Sequence, residues 1–191
     1  VSPSTAIPQA TSDVNLAYLV YGIVDRGSLT PDSQTLVVGG FPAYRTYLRF
    51  SLPKSISDSS TIVRAEVLLT QRPSLFANVA DTVSLLPLIP TSTNAVTDIR
   101  RILDLSADGA FAALDSTRLV PRDSGQRAVN ILSLARSWGG LQADIPRAVA
   151  FRIGLEGAQP AELQFYSSEA PAALRPRLRI TYLPRTESPM L

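Results

Sequence analysis

The side chains of this chain that can do chemistry are carboxylates, arginines, tyrosines and hydroxyls. Its 191 residues include no His and no Cys. A Ser-His-Asp or Cys-His triad is therefore excluded. So are a disulfide, a thiolate nucleophile and a zinc site built from Cys or His. Paired carboxylates could hydrolyse a glycosidic bond, but the acids on offer, Asp13, Asp104, Asp108, Glu162 and Glu169, are scattered. They read as solvated turn acids and caps. A lyase built from Tyr and Arg would need both converging in one cleft within hydrogen-bond reach. No enzyme, no catalytic residue and no cofactor is expected. Gly-rich phosphate loops are absent. There is no Asp-rich loop of the kind that holds Ca2+, and a structural Ca2+ held by backbone carbonyls would leave no trace in the residues.

Two groups of residues are suited to presenting a surface instead. Phe41, Tyr44 and Tyr47 cluster around a Gly-Gly-Phe-Pro turn. Such rings offer flat apolar faces to a sugar, or pack against a neighbouring protein. Arg175, Arg177 and Arg179 form a basic stripe that suits an acidic polymer or an acidic partner surface. Glu169 lies just after a strand and close to Arg175, so a structural Glu169–Arg175 pair pinning the last hairpin is expected, with a ligand-contacting role for Glu169 as the alternative. Trp138, the one tryptophan, ends an apolar segment and reads as core. With 18 basic and 16 acidic residues the net charge is only +2. The arginines are interleaved with acids, and the longest basic run is Arg100-Arg101. Nucleic acid is therefore not an expected partner.

The elements that must position these residues are short and β-like. Leu36 to Val38 ends at Gly39-Gly40. From Arg45 to Phe50, Thr46, Leu48 and Phe50 share one face, and Arg45, Tyr47 and Arg49 the other. Ile62 to Gln71 alternates, with Val63, Ala65, Val67 and Leu69 against Arg64, Glu66 and Thr70. Asp81 to Ile89, bounded by Pro87 and Pro90, reads as an edge strand. Residues 94–105 carry Val96, Ile99, Ile102 and Leu103 at helical spacing, with Thr93 as cap. Residues 106–117 read as turn and loop. A strand at 126–131 precedes one or two helical turns at 132–138, stopped by Gly139-Gly140. Strands follow at 148–155, 161–167 and 176–183. In the last, Leu178, Ile180 and Tyr182 point inward, and Arg177, Arg179 and Thr181 outward. Many short strands punctuated by 15 Pro and 10 Gly predict an all-β fold, an antiparallel β-sandwich or jelly roll with one or two short helices.

The order of these motifs resembles the DNRLRE-type domains of bacterial extracytoplasmic proteins, a group related to carbohydrate-binding module family 96. The matching pieces are Thr35-Leu36-Val37-Val38-Gly39, Tyr47-Leu48-Arg49-Phe50-Ser51-Leu52-Pro53, and Ile62 through Leu69. They continue with the segment from Val129 to Trp138, and with Phe165-Tyr166-Ser167-Ser168-Glu169-Ala170 followed by Arg175-Pro176 and the run to Tyr182. The resemblance covers roughly residues 14–183. Ser51 stands where the family often has Asp, and Ser168 where it usually has Arg. The stretch 91–125 is longer than the family core and reads as a possible insertion. The resemblance implies an extracytoplasmic sandwich without a catalytic centre, some of whose relatives bind polysaccharide.

Around the sandwich domain of residues 14–183 lie two polar, proline-rich pieces: an extended N-terminal arm at 1–13 and a C-terminal tail at 184–191. Ordering such an arm costs about 1–2 kcal/mol per residue, which a partner surface must offset, and proline lowers that cost. No apolar run approaches the ~20 residues of a membrane-spanning helix; the longest, residues 14–24, is broken by Asn15, Tyr21 and Gly22. Val1 in place of Met fits export with a removed signal or anchor, to the periplasm or cell surface. The expected function is a non-catalytic accessory subunit docked on a larger protein assembly, a membrane complex among the candidates. The alternative is a carbohydrate-binding module that takes polysaccharide.

Overall fold

A computed structural model describes residues 33–40, 43–75, 81–90, 111–113, 115–139, 147–156 and 159–184, with backbone alone at 89–90 and 111–113. The arm at 1–13, the helix expected at 94–105 and the tail beyond Pro184 lie outside the described residues. The described residues form two antiparallel sheets and two short helices, the sandwich that the strand pattern predicts.

Sheet A contains β1 (Thr35–Gly39), β3 (Ser60–Arg72), β7 (Gly125–Asn130), β9 (Glu162–Tyr166) and β10 (Arg177–Pro184). Sheet B contains β2 (Thr46–Phe50), β4 (Val83–Pro90), β5 (Phe111–Ala113), β6 (Thr117–Leu119) and β8 (Arg147–Ile153). Helices α1 (Lys54–Ser57) and α2 (Leu132–Ser137) join elements at the sandwich end. The core lies between the sheets, where Ala65, Val67 and Leu69 of β3 meet Val149, Phe151 and Ile153 of β8, with Leu163 and Phe165 of β9. Phe151 and Phe165 are at most 1 % exposed. Burying one such ring stabilises by roughly 1.5–3 kcal/mol. Trp138, at the end of α2, joins this core.

Strand β3 organises sheet A. Its residues Glu66 to Leu68 pair with β10 on one edge and β7 on the other. Gln71 likewise pairs with both Gly125 of β7 and Phe165 of β9. Strands β9 and β10 therefore lie end to end along the same edge of β3, separated by a ten-residue excursion at 167–176. β1 pairs with the far edge of β9, from Thr35 opposite Tyr166 to Gly39 opposite Glu162.

Three expectations from the alternation are corrected. Val63, assigned to the inner face, is 46 % exposed. The register shifts here: Thr181 pairs with Arg64 but Tyr182 with Ile62, so Val63 is the extra residue of a β-bulge and turns outward with Arg64. Asp81 to Ile89 is not an edge strand, because β4 runs between β8 and the pair β5 and β6. β6 pairs with residues 83–85 and β5 with residues 88–90. The gap between them falls at Leu86 and Pro87, where a residue without an N–H breaks no ladder on that side. The stretch read as loop at 106–117 thus supplies β5 and the start of β6, and part of the expected 91–125 insertion belongs to sheet B.

Candidate functional site

The chain passes from sheet A to sheet B through a tight crossover, and that turn positions the aromatic group. Gly39 and Gly40 both have φ of 87°, a region open to Gly and strained for other residues. The Gly39 N–H donates to the Tyr44 carbonyl at 2.8 Å and the Tyr44 N–H returns to the Gly39 carbonyl at 3.0 Å. Gly40 N–H donates to the Ala161 carbonyl at 3.0 Å. The buried Thr46 hydroxyl donates to the Val37 carbonyl at 3.0 Å. That bond holds Thr46 inward, so period-2 alternation turns Tyr47 to the outer face of sheet B. There Tyr47 stands opposite Ala150 of β8.

Arg45 completes the group. Its Nε lies 2.9 and 3.0 Å from the two carboxylate oxygens of Glu156, and its Nη2 lies 2.5 Å from Oε2. The hydrogen bond to Glu156 raises the guanidinium pKa above its ordinary value against the opposing effect of burial, with a smaller contribution from Tyr47. Beside Glu156, Leu155 is 65 % exposed. Tyr44 and Tyr47 are both half-buried. The result is a rim of two tyrosines, a clamped arginine and an exposed leucine at the end of the sandwich. Tyr and Arg anchors held in place are the residue types that dominate protein interfaces. Glu156 thus engages both Nε and Nη2 of Arg45.

The structure separates the residues singled out from sequence. Phe41 lies outside the described residues. Tyr44 is held by its backbone bridge to Gly39 and Tyr47 lies on β2 beside Arg45, whereas Arg175, Arg177 and Arg179 belong to or adjoin β10 of sheet A. Arg177 is exposed on the outer face. Arg179 instead reaches across to β3, where its Nε and Nη2 lie 2.9 and 2.5 Å from Glu66 Oε2. Arg64 Nη2 lies 2.6 Å from the other oxygen, Oε1. Hydrogen bonds from Arg64, then Arg179, hold the Glu66 carboxyl below its ordinary value despite burial. The basic stripe is thus neutralised at its centre.

The expected Glu169–Arg175 pair is not made. Arg175 Nε donates to the Ala170 carbonyl at 2.6 Å. Glu169 instead receives the Ser168 hydroxyl at 3.5 Å, and its own N–H donates to Ser167 Oγ at 3.0 Å. The excursion between β9 and β10 folds on itself, with Ala170 N–H on the Ser167 carbonyl and Leu174 N–H on the Pro171 carbonyl. That local turn brings Arg175 back over the backbone and not over the Glu169 carboxylate.

Sequence reasoning did not single out Glu156, Arg45 or Leu155. Glu156 lies 111 residues from Arg45, and no spacing links them. Among the described residues no group of three or more acids could hold a metal ion, and no helix is long and apolar enough to cross a membrane. No protein-family model, curated protein or solved structure matches the chain.

Proposed function

We propose that this chain is a non-catalytic accessory module that docks on a protein partner in an extracytoplasmic assembly through the rim at Tyr44–Tyr47. The observation that carries the reading is Arg45, fixed by Glu156, interacting with the half-buried Tyr47 and next to the exposed Leu155. An interface built from groups already held in place loses little side-chain entropy on binding. The motif order shared with DNRLRE-type domains supports the extracytoplasmic setting.

The test is site-specific photo-cross-linking in the native cell, with a photoreactive residue at position 47, at 155, or at the exposed Arg118 on sheet B. The reading expects the same protein adduct from 47 and 155 and none from 118. No adduct from 47 and 155, or equal adducts from all three, refutes it. A polysaccharide is the second reading, because a tyrosine ring beside Arg and Glu also suits a sugar and its hydroxyls. Affinity electrophoresis on acidic and neutral polysaccharides, with Tyr44→Ala and Tyr47→Ala, decides it. Retardation abolished by those substitutions would put a glycan in place of the protein.

A further inference from the structure

Three of the five large apolar side chains exposed among the described residues stand at one end of the β3–β10 ladder. Val63 is 46 % exposed, Tyr182 41 % and Leu183 62 %. They do not all share a face. Tyr182 stands opposite the buried Ile62 and belongs to the inward row. Leu183 stands opposite the exposed Thr61, and the bulge turns Val63 outward between Thr61 and Arg64. Val63 and Leu183 are therefore exposed aliphatic groups on the outer face of sheet A.

That face is basic, and its arginines are held in place. The outward rows of β3 and β10 carry Arg64, Arg72, Arg177 and Arg179 against the single acid Glu66. Glu66 is shared by Arg64 and Arg179, so one carboxylate meets two cations and positive charge is left over. Both arginines stay largely in solvent, with side chains 60 % and 49 % exposed. Arg136 of α2 approaches Val63 from the other side of β3. Its Nε donates to the carbonyl of Ile62, the residue before Val63, at 3.1 Å. A guanidinium has five N–H donors, so an arginine tethered through one or two of them keeps others for a further acceptor.

We propose that Val63 and Leu183, with Arg64, Arg136, Arg177 and Arg179, form a second docking surface that takes an acidic protein segment carrying apolar side chains. Charge complementarity selects the acidic partner, because the surplus cations steer carboxylates toward this face. Arginine forks grip carboxylates in two-point contacts. The exposed Val63 and Leu183 supply the apolar area that a protein side chain can desolvate with gain. They also favour a protein over an acidic polymer. Sugars and bases stack on aromatic rings, and the outward rows of β3 and β10 contain none. This surface belongs to sheet A and is independent of the Tyr44–Tyr47 rim on sheet B.

The test titrates the intact, isotope-labelled chain by NMR with a synthetic peptide in which glutamates flank a pair of leucines. The proposal expects amide shifts concentrated at 61–66, 136 and 177–183. It expects Arg177→Glu and Val63→Ser each to weaken binding about fivefold or more, the loss of one interface anchor. The same peptide with Gln in place of Glu should bind about fivefold or more weakly than the original. Tyr47→Ala should leave the affinity unchanged. No shifts, or shifts of equal size around Arg118 and Arg152, overturn the proposal, and so does a Gln peptide that binds as well as the Glu peptide. Polygalacturonate that produces the same shifts at least as strongly overturns it in favour of an acidic polymer. Binding lost in Tyr47→Ala and kept in Arg177→Glu overturns it by placing the peptide at the rim.

Discussion

Gly39→Ala is the sharpest perturbation of the crossover that builds the rim. At φ of 87° an alanine pays about 1–2 kcal/mol for a left-handed backbone. The smaller entropy of its unfolded chain returns about 0.4–1 kcal/mol of that. A Cβ at Gly39 would also stand 2.7 Å from the Ala161 carbonyl oxygen and 2.8 Å from Ile153 Cδ1. That carbonyl is held by the Gly40 N–H at 3.0 Å, so it cannot swing aside freely. Overpacking of this kind adds about 1–3 kcal/mol. Gly125 supplies the control: its φ is 102°, but a Cβ there meets nothing within 4 Å. Gly125→Ala should cost about 1 kcal/mol, the backbone term alone. Gly39→Ala should cost about 2–4 kcal/mol. In urea, with a slope of about 2 kcal/mol/M, the midpoints should fall by about 0.5 M and about 1–2 M respectively. If the two variants unfold within about 0.5 kcal/mol of each other, the contact with Ala161 and Ile153 is not constraining the turn and the reasoning fails.

Two further outcomes follow from polar groups tied into sheet A. The folded-state pKa of Glu66 is depressed, so its contribution is present above the ordinary value of 4.5 and is lost as pH falls through the lower folded value. Wild type should exceed Glu66→Gln by about 0.5–1 kcal/mol at neutral pH, a modest sum because Arg64 and Arg179 are 60 % and 49 % exposed; denaturation from pH 7 to pH 2 should show the difference vanish in acid, and a gap that persists there rejects the ion pairs as its source. Gln71 is 1 % exposed, donating to the Val120 carbonyl at 2.7 Å and accepting from Arg127 Nε at 2.8 Å. Gln71→Leu strands both partners at a cost of about 1–3 kcal/mol, which calorimetry should record as a fall in Tm of about 2–4 °C per kcal/mol.

The sandwich was legible because the relevant signal is local. The alternation of Arg64, Ala65, Glu66, Val67 and Leu69 needs only neighbouring residues, and the same holds for Thr46 against Tyr47. Val63 escaped because a bulge is a property of two strands in register, and β10 lies more than a hundred residues downstream. The place of β4 was hidden for a similar reason. Pro87 does argue for an edge, but only β5 and β6 reveal that a gap waits for it. Glu169 and Arg175 are near in sequence, and proximity misled: over six residues a turn offers backbone carbonyls closer than the opposing carboxylate. The Arg45–Glu156 clamp was the least legible feature, since it joins the start of β2 to the turn after β8.

That clamp also explains why the tyrosines and the arginine stripe could not form one surface. Gly39 and Gly40 send the chain out of sheet A, so the residues from Thr46 to Phe50 pair within sheet B. Within sheet B, Arg45 meets Glu156 because β2 pairs with β8, from Thr46 opposite Phe151 to Phe50 opposite Arg147, and Glu156 follows β8 by a single turn. On β10 the equivalent choice was made by β3: Arg179 stands opposite Glu66 and is drawn onto it. Each arginine is held by the acid its own sheet supplies. Beside the first pair stand Tyr47 and the exposed Leu155, and beside the second stand Arg64 and the exposed Val63 at the bulge. Apolar surface next to a fixed charge is what a docking partner can desolvate with gain, and Tyr47 with Leu155 at the clamp is the instance on which the proposed docking rests.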